Sequence, residues 1–248
     1  MNLYYELLGY PVFTVEDVTR YYDNVNSARS ALKRLVAQDL VVRIRNNLYT
    51  CISGETGAPV ANRYQVACAV TNTAYISHHT AIEYHGLSDQ IYYEVYVSSE
   101  TRFREFEFDG YVYRYIPSRI QNGVVRVTYS GGVRVTNMER TLVDSTNEMD
   151  RISGMEEVIS FIRSVRSIDE RKLRQYLTDY GSQFLFQKIG YMLETFGNME
   201  LQDDFYEFCQ KNIKKSKRYL SKDVRHGVYN RKWKLVVPDA VAYSKNGE

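Results

Sequence analysis

Apolar residues near the start of the chain recur at helical spacing and then continue along two short extended stretches. Segment 24–38 has apolar residues three and four positions apart, which predicts an amphipathic helix with one buried stripe. The stripe consists of Val25, Ala28, Leu32 and Leu35. Segments 41–45 and 48–52 lie on either side of Asn46-Asn47. Because asparagine tolerates left-handed backbone angles, this pair predicts a tight hairpin.

Two shorter helices are predicted before these elements. Residues 2–8 form the first, which Gly9 and Pro11 end. The segment 14–17, Thr-Val-Glu-Asp, resembles a capping box and predicts a second helix to about Tyr22. Three helices and a hairpin in about sixty residues predict a winged helix-turn-helix over residues 1–56, a module that usually binds duplex DNA.

Apolar and polar residues alternate in the middle of the chain, which is typical of strands. Apolar residues at helical spacing follow. Strands are predicted at 75–76, 92–98, 105–108, 111–115, 124–129, 133–135 and 233–237, with turns at Asp109-Gly110 and Gly131-Gly132. Helices are predicted at 60–70, at 78–85 behind a Ser77 cap, from the capping box 136–139 through Ser145, and from Met155 onward. The fold class is therefore α+β. An N-terminal winged helix-turn-helix precedes a mixed α/β domain over 60–248, with its sheet at about 75–136 and a helical C-terminal region at about 137–220.

Positive charge is concentrated on the predicted helix and hairpin. Residues 26–50 contain five basic side chains against Asp39 alone, a net of +4, whereas the whole chain carries only +2. Concentrated positive charge is typical of a surface that binds phosphates, and serine, arginine, lysine and asparagine also reach base edges. The predicted DNA contacts are Ser27, Arg29, Ser30, Lys33, Arg34, Arg43, Arg45, Asn46 and Asn47. The alternative is a winged helix used for protein contacts, with solvated basic residues.

A second basic segment lies near the end of the chain. Residues 211–234 contain ten basic residues and one acid, Asp223, a net of +9, whereas 146–210 has a net of −5 from twelve acids and seven bases. Two interpretations stay open: a solvated face, or a contact with flanking DNA or with an acidic partner. The candidate contacts are Lys214, Lys215, Lys217 and Arg218.

Composition excludes several classes of protein. The chain has no run of 18 apolar residues, so no membrane span is expected, and its first residues predict no secretory signal. Cys51, Cys68 and Cys209 lie far apart and predict neither a disulfide framework nor a metal site, which favours the cytoplasm.

Candidate catalytic groups are few. His78, His79 and His85 lie close together but lack the spacing of a common metal motif, so packing and capping roles are favoured. Glu139 and Asp144 are five positions apart and do not share a clean helical face. Glu139 is expected to complete a helix cap, while Arg140 pairs with an acid. No phosphate-binding glycine loop is present, so the expectation is a protein without cofactor or enzymatic activity.

Several segments in this order resemble the AbiEi antitoxins of type IV toxin–antitoxin systems, which are associated with abortive phage infection. The resemblance covers most of the chain, and its most specific part is Glu-Arg-Thr-Leu-Val-Asp at 139–144. The matching segments are 45–49 at the hairpin, 75–87, 135–144, 188–194 and the late Trp233. Two positions depart from the family: Asn47 stands where glycine is usual, and Lys188 where arginine is common.

The resemblance implies a two-part protein. Its N-terminal winged helix would repress its own operon by binding operator repeats. Its C-terminal domain would help to counteract an AbiEii-like nucleotidyltransferase toxin, with or without a direct complex. Two alternatives remain: a stand-alone winged-helix regulator without a toxin partner, and a metal-dependent nuclease centred on Glu139 and Asp144.

Overall fold

The computed structural model describes residues 2–152, 154–222 and 226–243, and these residues form an α+β fold. The helices are α1 (Leu3–Leu7), α2 (Val15–Thr19), α3 (Val25–Ala37), α4 (Arg63–Ala69), α5 (His78–Tyr84), α6 (Met138–Asn147), α7 (Met155–Ser164), α8 (Glu170–Tyr180), α9 (Gln183–Phe196), α10 (Asp203–Lys211) and α11 (Asp239–Ala242). The strands are β1 (Val41–Arg45), β2 (Leu48–Cys51), β3 (Tyr75–Ile76), β4 (Glu94–Ser99), β5 (Phe106–Phe108), β6 (Tyr111–Pro117), β7 (Val124–Arg126), β8 (Arg134–Thr136), β9 (Arg218–Tyr219), β10 (Gly227–Asn230) and β11 (Leu235–Pro238).

The three N-terminal helices and the hairpin form where local signals predicted them. The capping box of α2 is present, because Thr14 accepts from the Asp17 backbone N–H while the Asp17 side chain accepts from the Thr14 backbone N–H. β1 and β2 pair antiparallel across a turn in which Asn47 has φ 57°, so the predicted left-handed asparagine is confirmed. Phe13 adds an isolated antiparallel bridge to Tyr49 on β2, with both backbone hydrogen bonds at 2.9 Å.

The buried stripe of α3 differs from the predicted one at its first position. Ala28, Ala31 and Leu32 are buried, and Leu35 packs against the same apolar cluster. Val25 is 44% exposed, so its assignment to the stripe is wrong. It occupies the first position of the helix, ahead of the turn that packs against the core.

The predicted sheet in the middle of the chain is present. Among the described strands, the order is β5-β6-β4-β3-β8-β7. β5 and β6 form a hairpin whose turn residues Asp109 and Gly110 both have positive φ, as the Asp-Gly signal predicted. β4 runs parallel to β6, and β3 runs parallel to β8.

One hydrophobic core belongs to the N-terminal helices and the hairpin, and a second core forms around α6 to α9 together with β11. Gly190 on α9 lies against the fully buried indole of Trp233, because a Cβ atom placed there would overlap the ring at Cζ3. Glu194, one turn further along α9, accepts a hydrogen bond from the indole Nε1 at 2.7 Å. In the described part of this region, β10, β11 and β9 lie side by side in that order.

Three local predictions require correction. The late strand begins at Leu235 rather than at Trp233, and β9 and β10 were not predicted. Ser77 precedes α5 but makes no capping hydrogen bond, because its hydroxyl pairs with Nδ1 of His78 at 2.8 Å. The cap of α6 is Asn137, whose side chain accepts from the backbone N–H of Arg140, so Thr136 and Glu139 do not form a capping box there.

The chain divides into two compact units, each of which is discontinuous in sequence. The first comprises Met1–Ile76, Tyr92–Ser118 and Val125–Val135, and the second comprises Ser77–Ile91, Arg119–Val124 and Thr136–Glu248. The first unit contains α1 to α3 and the hairpin together with most of the sheet, and the second contains α5 to α11. The domain boundary predicted between residues 56 and 60 stays a prediction. Within the described ranges, every helix is too short or too polar to cross a membrane.

Candidate nucleic-acid interface

A small groove lies between α3, the start of α2 and the hairpin. Its volume is about 220 Å³, and three of the predicted cationic side chains lie along it. The lining residues are Val15, Arg29, Leu32, Lys33, Val36, Arg43 and Tyr49. The groove is therefore lined by apolar and aromatic residues together with three cationic ones, Arg29, Lys33 and Arg43, which we call its cationic rim.

The sequence of α3 explains the charged side of this groove. Asn24 caps the helix by accepting from the Ser27 backbone N–H at 2.9 Å. Arg29 and Lys33 are four positions apart, so they lie on one helical face, and both are exposed. Ser30 and Arg34 are also exposed but do not line the groove, while Ser27 is half-buried.

The hairpin holds Arg43 in a defined position beside the groove. The Arg43 Nε donates to the Arg45 carbonyl at 3.1 Å, and its Nη2 donates to Oδ1 of Asn46 at 2.9 Å. The Arg43 side chain nevertheless stays exposed. These bonds reduce the freedom of the guanidinium, which lowers the entropy lost when it meets a phosphate.

Asn47 connects the hairpin turn to α2. Its Oδ1 accepts from the Val15 backbone N–H at 3.1 Å, and its Nδ2 donates to the Glu16 carboxylate at 2.7 Å. Both ends of the side-chain amide are thus engaged within the protein. These bonds position the hairpin turn against α2, while the predicted DNA contact of Asn47 stays a prediction, and Asn46 lies exposed at the turn.

Glu16 is a residue of this region that the sequence did not single out. The hydrogen bond from Asn47 lowers the pKa of the Glu16 carboxyl, and the nearby charge of Arg29 also lowers this pKa. An ionised acid therefore lies beside the cationic rim. No local pattern marks Glu16 as part of the site, because it reaches the hairpin only through the fold.

Arg45 occupies a different environment from Arg43. Its guanidinium lies over the rings of Phe103 and Phe106, at 5.7 and 5.1 Å from their centroids. Its Nη1 is buried without a hydrogen-bond partner, and burial lowers the pKa of the side chain. Contacts of this kind are cation–π interactions, which hold the residue against the protein. Arg45 is thus half-buried against aromatic rings, whereas Arg43 on the same strand is exposed.

The second basic segment lies within the other compact unit. Its four candidate contacts, Lys214, Lys215, Lys217 and Arg218, are all exposed. Asp223 and Arg225 of this segment lie outside the described residues. Lys217 is distinguished from the other three because its Nζ lies over two tyrosine rings, Tyr219 and Tyr229.

The carboxylates considered for catalysis take part in buried structural contacts. Asp144 and Arg140 are each 1% exposed and form an ion pair at 2.6 Å, which confirms that Arg140 pairs with an acid. The Tyr180 hydroxyl donates to the same Asp144 oxygen. The Glu139 Oε1 accepts from the Asp169 backbone N–H at 2.7 Å.

The clustered histidines are likewise engaged in protein contacts. Nδ1 of His79 lies 2.6 Å from the Glu157 carboxylate, and Nε2 of His85 lies 2.8 Å from the Thr136 carbonyl oxygen. Across the described residues, no group of three or more His, Cys, Asp or Glu side chains could hold a metal ion.

Comparison with known proteins identifies a shared fold. No family model and no curated protein matches the chain. Among solved structures, the fold resembles the crystal structure of the Rv2827c protein from Mycobacterium tuberculosis, with a TM-score of 0.67. The two chains are 14% identical, and the match covers 95% of this chain and 89% of that one. At this identity, the likeness concerns the fold alone.

Proposed function

We propose that residues 1–56 form a winged helix-turn-helix that binds duplex DNA, and that the protein is an antitoxin and autorepressor of a type IV toxin–antitoxin operon. The observation that carries the DNA-binding part is the groove rimmed by Arg29, Lys33 and Arg43. All three side chains are exposed, although they come from two separate elements. A cationic rim suits a DNA backbone, because each phosphate that a lysine or arginine neutralises releases condensed counterions.

The docking arrangement follows from the elements. In helix-turn-helix proteins the recognition helix lies in the major groove and its N-terminal residues contact base edges. Here that helix is α3, with Ser27, Arg29, Ser30 and Lys33 nearest the bases. Arg43 on the hairpin contacts the phosphate backbone. The bridge between Phe13 and Tyr49 supports this assignment, since it ties the segment before α2 to the hairpin.

The antitoxin part of the proposal is supported by the family resemblance. The functional partner is an AbiEii-like nucleotidyltransferase toxin, and both proteins act in the cytoplasm. The protein binds operator DNA and needs neither a membrane nor a cofactor. A nucleotidyltransferase gene directly downstream would separate this function from that of a stand-alone regulator.

Salt dependence of operator binding tests the DNA interface, with Arg43→Ala as the principal variant. Each phosphate contact that is lost should reduce the slope of log K against log salt by about 0.9. Arg43→Ala should therefore weaken binding to all sequences and lower the slope by about one. Fluorescence anisotropy with the upstream region of the gene, at several salt concentrations, measures both quantities.

Arg45→Ala is the matched control on the same strand. Because its guanidinium lies over Phe103 and Phe106, this variant should leave the salt slope unchanged and should instead lower stability. Arg29→Ala should relax specificity and cost about 1–3 kcal/mol if Arg29 reads a guanine. Unchanged operator affinity in both Arg29→Ala and Arg43→Ala would reject the proposed interface.

A further inference from the structure

Two exposed tyrosines lie in one row across the described sheet of β10, β11 and β9. Tyr229 on β10 pairs with Val236 on β11, and Val236 pairs with Tyr219 on β9. Directly paired residues on neighbouring strands project from the same face of a sheet. That face is the outer one, because Leu235 and Val237 on either side of Val236 belong to the core. Tyr219 is 52% exposed and Tyr229 is 45% exposed.

Lys217 connects these two rings. Its Nζ lies 5.6 Å from the Tyr219 centroid and 5.5 Å from the Tyr229 centroid. The two centroids are therefore at most about 11 Å apart, the sum of these distances. This upper limit is compatible with two strand separations of about 4.8 Å each, the distance expected from the strand order. We define Lys217, Tyr219 and Tyr229 as the tyrosine platform.

The surroundings of the tyrosine platform are cationic. Lys215 and Arg218 adjoin it in sequence and are exposed, and residues 211–222 contain basic side chains without an acid. A surface that combines exposed aromatic rings with lysine and arginine fits a ligand with flat faces and negative charge. Nucleic acids have both properties, because bases stack on aromatic rings and phosphates bind cations.

Ring spacing distinguishes a single strand from a duplex. Successive bases in one strand of a duplex are about 3.4 Å apart and cover each other's faces. Rings separated by two strands of a sheet are too far apart to stack on neighbouring bases of an intact duplex. An unpaired strand exposes its base faces and can spread two bases over both rings, which places a phosphate near Lys217.

We propose that the tyrosine platform binds single-stranded nucleic acid by stacking bases on Tyr219 and Tyr229 while Lys217 neutralises the intervening phosphate. Such recognition tolerates different bases, because each base has a face on which a ring can stack. The residues of this site belong to the second compact unit, and the proposal does not depend on the function proposed for α3 and the hairpin.

The test measures binding of fluorescent 12-nucleotide pyrimidine strands, as DNA and as RNA, by anisotropy. The full chain carries Arg29→Ala, Lys33→Ala and Arg43→Ala, so that the N-terminal interface does not contribute. In this background Tyr219→Ala and Tyr229→Ala should each weaken binding about tenfold. Lys217→Ala should reduce the salt slope by about 0.7, the value for a single strand.

Two controls separate stacking from charge. Tyr129→Ala removes a fully exposed tyrosine elsewhere in the chain and should leave affinity unchanged. Tyr219→Phe and Tyr229→Phe keep the rings and should retain affinity, and a strand without bases should bind weakly. If the strand without bases binds equally well, or if both alanine variants bind like their parent, the surface acts through charge alone and the proposal is wrong.

Discussion

At the scale of single residues, environment rather than residue type separates Arg43 from Arg45. Both are arginines on β1, but the strand register shifts between them. Arg43 remains exposed beside the α3 groove, while Arg45 packs on Phe103 and Phe106. Those aromatic rings lie about sixty positions further along the chain, so no local pattern could predict this difference.

Gly190 provides a test of packing at this scale. Gly190→Ala should destabilise the protein by about 1–3 kcal/mol or more, because the added methyl would overlap the Trp233 ring. The ring is fully buried and cannot move away without disturbing its neighbours. Urea unfolding of the variant and the parent measures the difference in free energy.

Gly9→Ala is the corresponding control. A Cβ atom at Gly9 would meet the Glu6 carbonyl oxygen at 3.6 Å, an ordinary contact, so stability should change little. Equal stability of Gly190→Ala and Gly9→Ala would show that the close approach of α9 to Trp233 does not exist.

His78 makes stability depend on pH. It is buried with φ 52°, and burial lowers its pKa below the ordinary value of 6.5. Below pH 6.5 the unfolded chain therefore binds a proton that the folded protein does not, so stability falls as the pH falls. The slope from this residue should reach at most about 1.4 kcal/mol per pH unit.

His78→Asn should flatten the decrease in unfolding free energy between pH 7 and pH 5. Asparagine also adopts the left-handed backbone region, so the substitution preserves the local conformation. His226→Asn, which changes an exposed histidine, should leave the profile like that of the parent. If the His78→Asn profile has the same slope as the parent, another group causes the acid sensitivity.

At the scale of elements, several local signals predicted the structure correctly, although the Ser77 cap and the capping box at 136–139 did not form. The capping box of α2, the left-handed Asn47 and the Asp109-Gly110 turn each depend on two to four neighbouring residues. The two strands that were missed, β9 and β10, are short and rich in polar or exposed residues. They form because β11 pairs with both of them. The spacing of apolar residues along the sequence cannot predict that pairing.

The hairpin should lose its position relative to α2 when Asn47 is changed. Asn47→Gly keeps the left-handed backbone but removes the bonds to Val15 and Glu16. We expect weaker operator binding with an unchanged salt slope, since no phosphate contact is lost. Anisotropy at several salt concentrations measures both quantities.

Asn47→Ala removes the same two hydrogen bonds and also places an alanine in the left-handed backbone region. An alanine in the left-handed region costs about 1–2 kcal/mol, so this variant should be less stable than Asn47→Gly. A lower salt slope in Asn47→Gly would indicate that Asn47 itself contacts DNA and would contradict its positioning role.

At the scale of the whole molecule, segments distant in sequence meet in the second core. Gly190 and Glu194 on α9 contact Trp233, about forty positions later. Arg140 and Asp144 form their buried pair on α6, where Arg140 also donates to the Ile120 carbonyl. The segments 139–144 and 188–194 and Trp233, which carry part of the family resemblance, therefore contribute to the hydrophobic core of this unit.

The proposed two-part function predicts that repression and neutralisation are separable. A variant with Arg29→Ala, Lys33→Ala and Arg43→Ala should lose operator binding, because the cationic rim is removed. Expressed from an independent promoter, it should still protect cells against the neighbouring nucleotidyltransferase. Growth assays with both genes under separate inducers measure protection. Loss of protection by a folded variant would show that the N-terminal surface is also needed against the toxin.

The sequence alone determined the α+β class, the N-terminal helices and hairpin, and the excess of positive charge on them, because caps, turns and periodicity act over a few residues. Only the tertiary structure decided which charged and polar side chains stay exposed and which are engaged in contacts within the protein. It placed Arg45 half-buried over two aromatic rings, engaged Asn47, paired Asp144 with Arg140, and placed Tyr219 and Tyr229 in one row. These outcomes depend on contacts between residues that are distant in the chain, and the free energy of burial or pairing arises only when the folded chain brings them together.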